Sequence, residues 1–208
     1  MAKNCYTREQ IETAVKEKGY KWFDDSNNKG YDVNIVGVRN AETKDRITNK
    51  FDDCVTVSYK KEGEWKFFCF GATTDPGDDY MDNPIVEEKG CAILKEGQYR
   101  GSHKIRLHGG KYPALGQKKD VTVYRDKNKD GKYDFDESKS DTGLFGINIH
   151  RATSRAGKTS TYVDKWSAGC QVIASNDDWT KFLKICEKAK DIHGNSFSYT
   201  LLNSKDIC

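Results

Sequence analysis

The first apolar period in the chain is helical. Between Thr7 and Phe23, Ile11, Val15 and Tyr20 recur at helical spacing behind Thr7 and Gln10, the positions of a capping box. From Tyr31 onward the pattern changes to short β-type runs. These are Tyr31–Val38, Cys54–Tyr59, Trp65–Gly71, Cys91–Leu94, Lys104–His108, Val121–Tyr124 and Leu144–His150. Clusters such as Lys61-Glu62-Gly63 and Thr74-Asp75-Pro76-Gly77-Asp78 separate them as turns. A second helix is predicted over Asn176–Lys190, with Asn176 as cap, Asp177 and Asp178 at the positive end, and Trp179, Phe182, Leu183 and Cys186 on one face. A last strand, Ser196–Leu202, ends the pattern. There is no internal repeat and no low-complexity linker. The expected fold is mainly β (α+β), an antiparallel sheet or barrel-like core with a helix near each end.

Composition narrows the function classes. The chain has 208 residues, 36% hydrophobic, 12% aromatic and 32% charged, which fits one folded domain with a real core. Its 35 basic and 32 acidic side chains leave a net charge of +3, with no basic stripe for nucleic acid. No run approaches the roughly 18 apolar residues of a membrane span. The stretch Met1-Ala2-Lys3-Asn4-Cys5-Tyr6 lacks an apolar signal core, so cytoplasmic synthesis and a monomer are expected. Seven cysteines stand at irregular spacing without a CxxC pair, and reduced thiols are expected. Cys54, Cys69, Cys91 and Cys186 fall in apolar runs or on a helix face and read as small core residues. Cys170 does not fit that explanation.

Cys170 follows Ser167-Ala168-Gly169 and precedes Gln171-Val172-Ile173. Small residues before a cysteine let a substrate backbone approach the sulfur and leave N–H groups to face an oxyanion. His150 ends a run in which Leu144, Gly146, Asn148 and His150 share one face and Phe145, Ile147 and Ile149 the other. A free thiol has a pKa of roughly 8.5, so a neighbouring imidazole is needed to activate it and later to protonate a leaving amine. The expectation is Cys170 as nucleophile within bonding reach of His150 as base, at the rim of an open groove. Ser167 or a backbone carbonyl near His150 would orient the second ring nitrogen.

This constellation resembles the YkuD-type L,D-transpeptidases: a strand-end His, a loop of somewhat under twenty residues, then Ser/Thr-His-Gly-Cys. The resemblance spans roughly residues 90–200 and is close over 143–173. His108-Gly109-Gly110-Lys111-Tyr112-Pro113-Ala114-Leu115 and Trp166–Val172 are also similar to phage-encoded relatives. It implies a β-sandwich or barrel catalytic domain over 61–208, with 1–60 as an accessory helix and strands. It also implies a cysteine that attacks a peptidoglycan stem-peptide amide at diaminopimelate. The thioester then passes to an amine or to water, as in a transpeptidase, carboxypeptidase or endopeptidase. On this chain Cys170 takes the nucleophile's place, His150 the base's, Ser167 the motif Ser's and Gly169 that of the oxyanion turn. Ala168 stands where the family has a second His, and Gln171-Val172 replace an apolar residue plus Arg or Asn. No cofactor is required for such catalysis. A phage or secreted-effector wall enzyme of this kind would reach its substrate through a holin, a virion or a secretion system.

Other signals point elsewhere. His108, Tyr112, Arg151 and Trp166 are candidate substrate-binding residues, since aromatic rings stack on sugar or peptide. His103, His108, His150 and Cys170 offer three His and one Cys, the donor set of an alternative zinc peptidase. A wall-binding relative without turnover is a third reading. Asp126, Asn128, Asp130, Asp134 and Glu137 fall at positions 1, 3, 5, 9 and 12 of an EF-hand-like loop, with Gly131 at 6. They make a candidate structural Ca²⁺ site between strands.

Overall fold

The computed structural model describes residues 6–207. Helix α1 spans Arg8–Glu17 and is opened by the expected capping box, in which Gln10 N–H donates to Thr7 Oγ1 at 3.2 Å. Gly19, at φ +72°, ends it well short of Phe23. Eleven strands follow: β1 (Asn34–Arg39), β2 (Asp53–Lys61), β3 (Glu64–Thr73), β4 (Cys91–Leu94), β5 (Gly97–His108), β6 (Tyr112–Gln117), β7 (Val121–Asp126), β8 (Ser140–Gly143), β9 (Ile149–Arg151), β10 (Gln171–Ile173) and β11 (Phe197–Asn203). A short α2 (Asp78–Asp82) precedes β4, and α3 (Asn176–His193) precedes β11.

Eight strands close into a barrel in the order β1-β11-β5-β6-β9-β10-β3-β2, while β4-β7-β8 form a separate three-stranded sheet. The α+β class, the helices near both ends and the barrel-type core are therefore as expected. Two pairs in the barrel, β1–β11 and β9–β10, are parallel rather than antiparallel. The boundary expected near residue 60 does not set an accessory layer apart. Strands β1 and β2 are staves of the barrel, and without them β11 and β3 would be left with open edges.

The apolar pattern explains what packs where. Val55, Val57, Phe70, Leu115, Ile149, Ile173, Tyr199 and Leu201 form one buried cluster, which α3 joins through Trp179, Phe182, Ile185, Cys186 and Ala189. Ile11, Ala14 and Val15 of α1 cover Val36, Val38, Cys54 and Leu202 on the other side of the barrel wall. Met81, Ile93, Tyr124 and Tyr133 pack the small sheet. Cys54, Cys91 and Cys186 are buried and Cys69 is half-buried. Cys5 and Cys208 lie outside the described residues.

Candidate functional site

The parallel pair β9–β10 sets the geometry. Gln171 lies opposite Ile149 and Val172 opposite His150. Cys170, one residue before β10, is therefore level with Asn148, and Gln171 N–H donates to Asn148 O at 2.8 Å. Side chains alternate along a strand, so Cys170, Asn148 and His150 face the same side. The expected alternation of 144–150 holds although only Ile149–Arg151 is laddered: Ile147 and Ile149 are buried and Leu144 is exposed.

The thiol is not hydrogen-bonded to His150. Its Sγ receives the Asn148 N–H at 3.4 Å and donates to Gly146 O at 3.4 Å. Register explains the difference, since His150 stands two residues beyond the level of Cys170, about 6.7 Å along a strand. Burial pushes the Cys170 thiol up to about 11, against the pull of the Asn148 N–H. At pH 7 about one thiol in ten thousand is then ionised.

His150 is buried, and its Nδ1 donates to Arg151 O at 2.9 Å. A carbonyl accepts only, so the proton of the neutral ring sits on Nδ1 and Nε2 keeps its lone pair. Burial lowers His150 to about 4, the Arg151 carbonyl opposes the shift, and nearby His108 adds to it. The second ring nitrogen is thus oriented by a backbone carbonyl and not by Ser167. Three expected neighbours gather here. His108 stacks on His150 with centroids 4.2 Å apart, the Tyr112 hydroxyl lies 3.4 Å from His150 Nδ1, and the Arg151 guanidinium covers the Tyr112 ring at 4.1 Å. Trp166 does not join them; it sits on an exposed 3-10 turn, Asp164–Trp166.

Ser167 and Gly169 build the turn. Ser167 Oγ donates to Cys170 O at 2.8 Å and accepts the Gly169 N–H at 3.1 Å. The Gly169 N–H is therefore committed to the turn and not offered to an oxyanion. Gly169 takes φ +114°, pressed against the Ala92 carbonyl of β4.

Four residues hold the site in ways the sequence did not assign to them. Asn148 donates from Nδ2 to His108 Nδ1 at 3.3 Å and accepts the Gln117 N–H at 2.9 Å. Gln117 Oε1 receives the N–H groups of Phe145 and Ile147. Gln171 Nε2 reaches the Gly169 and Thr74 carbonyls, and its Oε1 accepts the Tyr199 hydroxyl at 2.7 Å. His103, a candidate zinc ligand, is fully buried, with Nδ1 on the Ser102 hydroxyl and Nε2 on Ile147 O at 2.9 Å. Both its nitrogens are occupied, so His103, His108, His150 and Cys170 do not converge as a metal site. The visible signal for Gln171 was an amide between Cys170 and the apolar pair Val172-Ile173, a polar group that must be paired when buried, whereas Gln117, between Gly116 and Lys118, carried no such signal. Gln171→Leu leaves the Gly169 carbonyl and the Tyr199 hydroxyl without their Gln171 partner, and is expected to cost about 1–3 kcal/mol in urea unfolding.

The acidic residues divide. In the 126–137 loop, Asp126 Oδ2 accepts the Asp134 N–H, and Asn128 Nδ2 bridges Asp130 and Asp134. Glu137 turns away to Lys95 and Tyr124. Elsewhere Asp78, Asp79 and Asp164 bring carboxylate oxygens within 4.8 Å of one another, a cluster able to hold a metal ion. Asn49 Nδ2 already bridges Asp78 and Asp164 at 2.8 and 2.7 Å. Among the described residues no helix is long and apolar enough to cross a membrane. Comparison of the chain with protein-family models, with curated proteins and with solved structures found no match.

Proposed function

We propose that the protein is a cysteine-dependent acyl-transfer enzyme acting on peptidoglycan stem peptides, as an L,D-transpeptidase or as an L,D-carboxypeptidase or endopeptidase. The observation that carries this reading is the shared face of Cys170 and His150 at the ends of two parallel strands, with His150 Nδ1 tied down and Nε2 left as a base. The resting pair is a thiol and a neutral imidazole, so the proton moves only as attack proceeds. Sγ, released from its two long contacts, adds to the scissile carbonyl while His150 Nε2 takes the thiol proton. The N–H groups of Ala168 and Cys170 are the turn's donors for the developing oxyanion, since that of Gly169 is spent. Collapse expels the amine, which takes the proton from His150. Water or a second amine then opens the thioester. Action at the cell wall follows delivery through a holin, a virion or a secretion machine.

The deciding experiment is mass spectrometry of purified muropeptides after incubation with wild type and with Cys170→Ala. New cross-links or shortened stems with wild type alone are expected. Unchanged muropeptides in both arms would falsify the catalytic reading. They would favour a wall-binding relative without turnover, to which the high thiol pKa and the missing thiol–imidazole bond also lend support.

The cation we assign to the chain is a structural Ca²⁺ in the 126–137 loop, fixing the link between β7 and β8 by the EF-hand-like spacing of its oxygens. Millimolar Ca²⁺ is expected to raise the melting temperature by several degrees, and Asp130→Asn to abolish the rise. A rise that survives in Asp130→Asn but disappears in Asp164→Asn would move the ion to the other cluster.

A further inference from the structure

A cleft of about 490 Å³ opens between α3 and the β2–β3 hairpin, and it shares no residue with the Cys170 site. Its floor is aromatic. The half-buried Tyr31 ring stacks on the buried Tyr59 ring with centroids 4.7 Å apart, and Phe68 and Ile185 extend the apolar surface. Tyr31 stands at φ +59°, a left-handed conformation that a bulky side chain adopts only when its surroundings impose it. They do so here: Tyr31 N–H donates to Lys60 O at 2.9 Å, and the Gly30 carbonyl before it accepts from His193 Nε2 at 2.7 Å. Strain held at a ring that lines a cleft is a mark of function.

The other wall is cationic. Lys181, Lys184 and Lys188 are exposed on one face of α3, three and four residues apart, and all three line the cleft. Like charges so placed oppose the helix, and Lys184 and Lys188 have no ion pair among the described residues to relieve them. Lys181 lies over the Phe68 ring, 4.8 Å from its centroid, and is close enough to Asp178 to stabilise that carboxylate. The lysine row and the aromatic floor are therefore one continuous surface. Against three ammonium groups the lining brings one carboxylate, Asp177, which accepts the Gly157 N–H. The cleft keeps a positive excess.

Shape and charge together restrict the occupant. A volume of this size suits a small organic ligand. The floor favours a flat ring, which stacks on the aromatic faces or meets them edge-on. The lysine row rises about 10 Å along the helix, so a lone phosphate does not span it. Each compact ammonium meets phosphate as a point charge. A ligand with a flat ring at one end and two linked anionic groups at the other engages both walls at once. We infer that this cleft binds a nucleoside diphosphate, with the base on the Tyr31 and Phe68 rings and the phosphates along Lys184 and Lys188. The site is independent of the acyl-transfer reading and stands whether or not Cys170 turns over a substrate.

The test titrates ADP into the full chain while the ring-proton NMR signals of Tyr31 and Phe68 are followed. Saturable shifts of both rings are expected, with adenosine and inorganic pyrophosphate each at least tenfold weaker because each meets one wall only. Lys184→Gln with Lys188→Gln changes exposed positions and should lose at least tenfold in ADP affinity at an unchanged melting temperature, whereas the two Arg replacements should retain it. Tyr31→Asn removes the ring but tolerates the left-handed backbone, and should lose a similar factor while remaining folded. Added salt should weaken ADP far more than adenosine. Equal binding of ADP and adenosine, or full ADP affinity in the paired Gln variant, overturns the inference. Equal binding of ADP and pyrophosphate overturns the nucleoside. Saturation by polyglutamate or by single-stranded DNA without any binding of ADP overturns the small-molecule occupant. None of these readouts involves Cys170, so saturable ADP binding together with unchanged muropeptides keeps the cleft and sinks the catalytic reading alone.

Discussion

Gly169→Ala is expected to lower the unfolding free energy by about 3 kcal/mol and to abolish selective chemistry at Cys170. Two effects add. The residue sits at φ +114°, where an L side chain is strained by about 1–3 kcal/mol. A Cβ placed there would lie 2.2 Å from the Ala92 carbonyl oxygen, which is backbone held in the β4–β7 ladder and cannot swing aside. Relief requires the Ser167–Cys170 turn to lift off the small sheet. That breaks the Gly169 N–H to Ser167 Oγ bond and changes the level at which Cys170 meets Asn148. For a chain of this length, about 3 kcal/mol corresponds to a melting temperature lower by roughly 6–12 °C. Gly146→Ala is the internal control, with positive φ but nothing within 4 Å of the added carbon, so strain alone acts and about 1 kcal/mol is expected. Equal losses in the two variants, measured by urea unfolding, would show that contact with Ala92 contributes nothing.

The same turn shows what the sequence could and could not yield. Ser167-Ala168-Gly169-Cys170 was legible as a turn because it places small residues in a row before a cysteine. What the turn leans on was not, because Ala92 is 77 positions away and its contribution is a carbonyl, which any residue provides. The helices were legible from period and caps. The α3 cap shifts by one residue to Ser175, which accepts the Asp178 N–H, while Asn176 turns its amide to Thr153 O instead. Tertiary hydrogen bonding outcompeted a local cap there, a choice that propensity does not contain.

Strands were legible where apolar residues clustered and illegible where pairing alone defines them. Tyr112–Gln117 holds Pro113 and Gly116 and reads as loop, yet it lies between β5 and β9 in the barrel. Gly116 belongs there because the Arg106 side chain occupies the space of a side chain at that position. Ser140–Gly143 has no apolar residue and is a strand only by pairing with Val121–Tyr124. The division at residue 60 came from the reach of a motif resemblance, which says nothing about closure. A barrel closes through its first and last strands, and here β1 pairs with β11 across more than 150 positions. The sequence grouped His108, Tyr112 and Arg151 with Cys170 and His150, and the structure sets His108 and Tyr112 beside His150 with Arg151 over the Tyr112 ring. The register, which fixes whether sulfur meets nitrogen, depends on a pairing between strands that no local pattern encodes.

His103 carries the second large effect, on acid stability. Its ring is 0% exposed and burial lowers it to about 4, the Ile147 carbonyl opposing the shift. A depressed folded pKa means that the unfolded chain binds the proton more readily. The contribution of the neutral ring is therefore fully present above about 6.5 and is lost as pH falls through the window down to about 4. At about 1.4 kcal/mol per pH unit, the loss across that window is about 3 kcal/mol. His150, lowered to about 4, acts in the same direction over the same window. Asp53 opposes both. Burial, with Asp75 beside it, pushes its carboxyl up to about 7, so it takes up a proton in the folded state as pH falls. Wild-type acid curves therefore mix signs, and the difference between wild type and His103→Gln isolates one group. At pH 7 the variant should be the less stable, since the Ile147 carbonyl and the Ser102 hydroxyl lose a well-placed partner. The gap should then close by about 3 kcal/mol between pH 6.5 and 4, in urea unfolding at half-unit steps. Parallel curves with a constant offset would mean that His103 protonates as easily folded as unfolded.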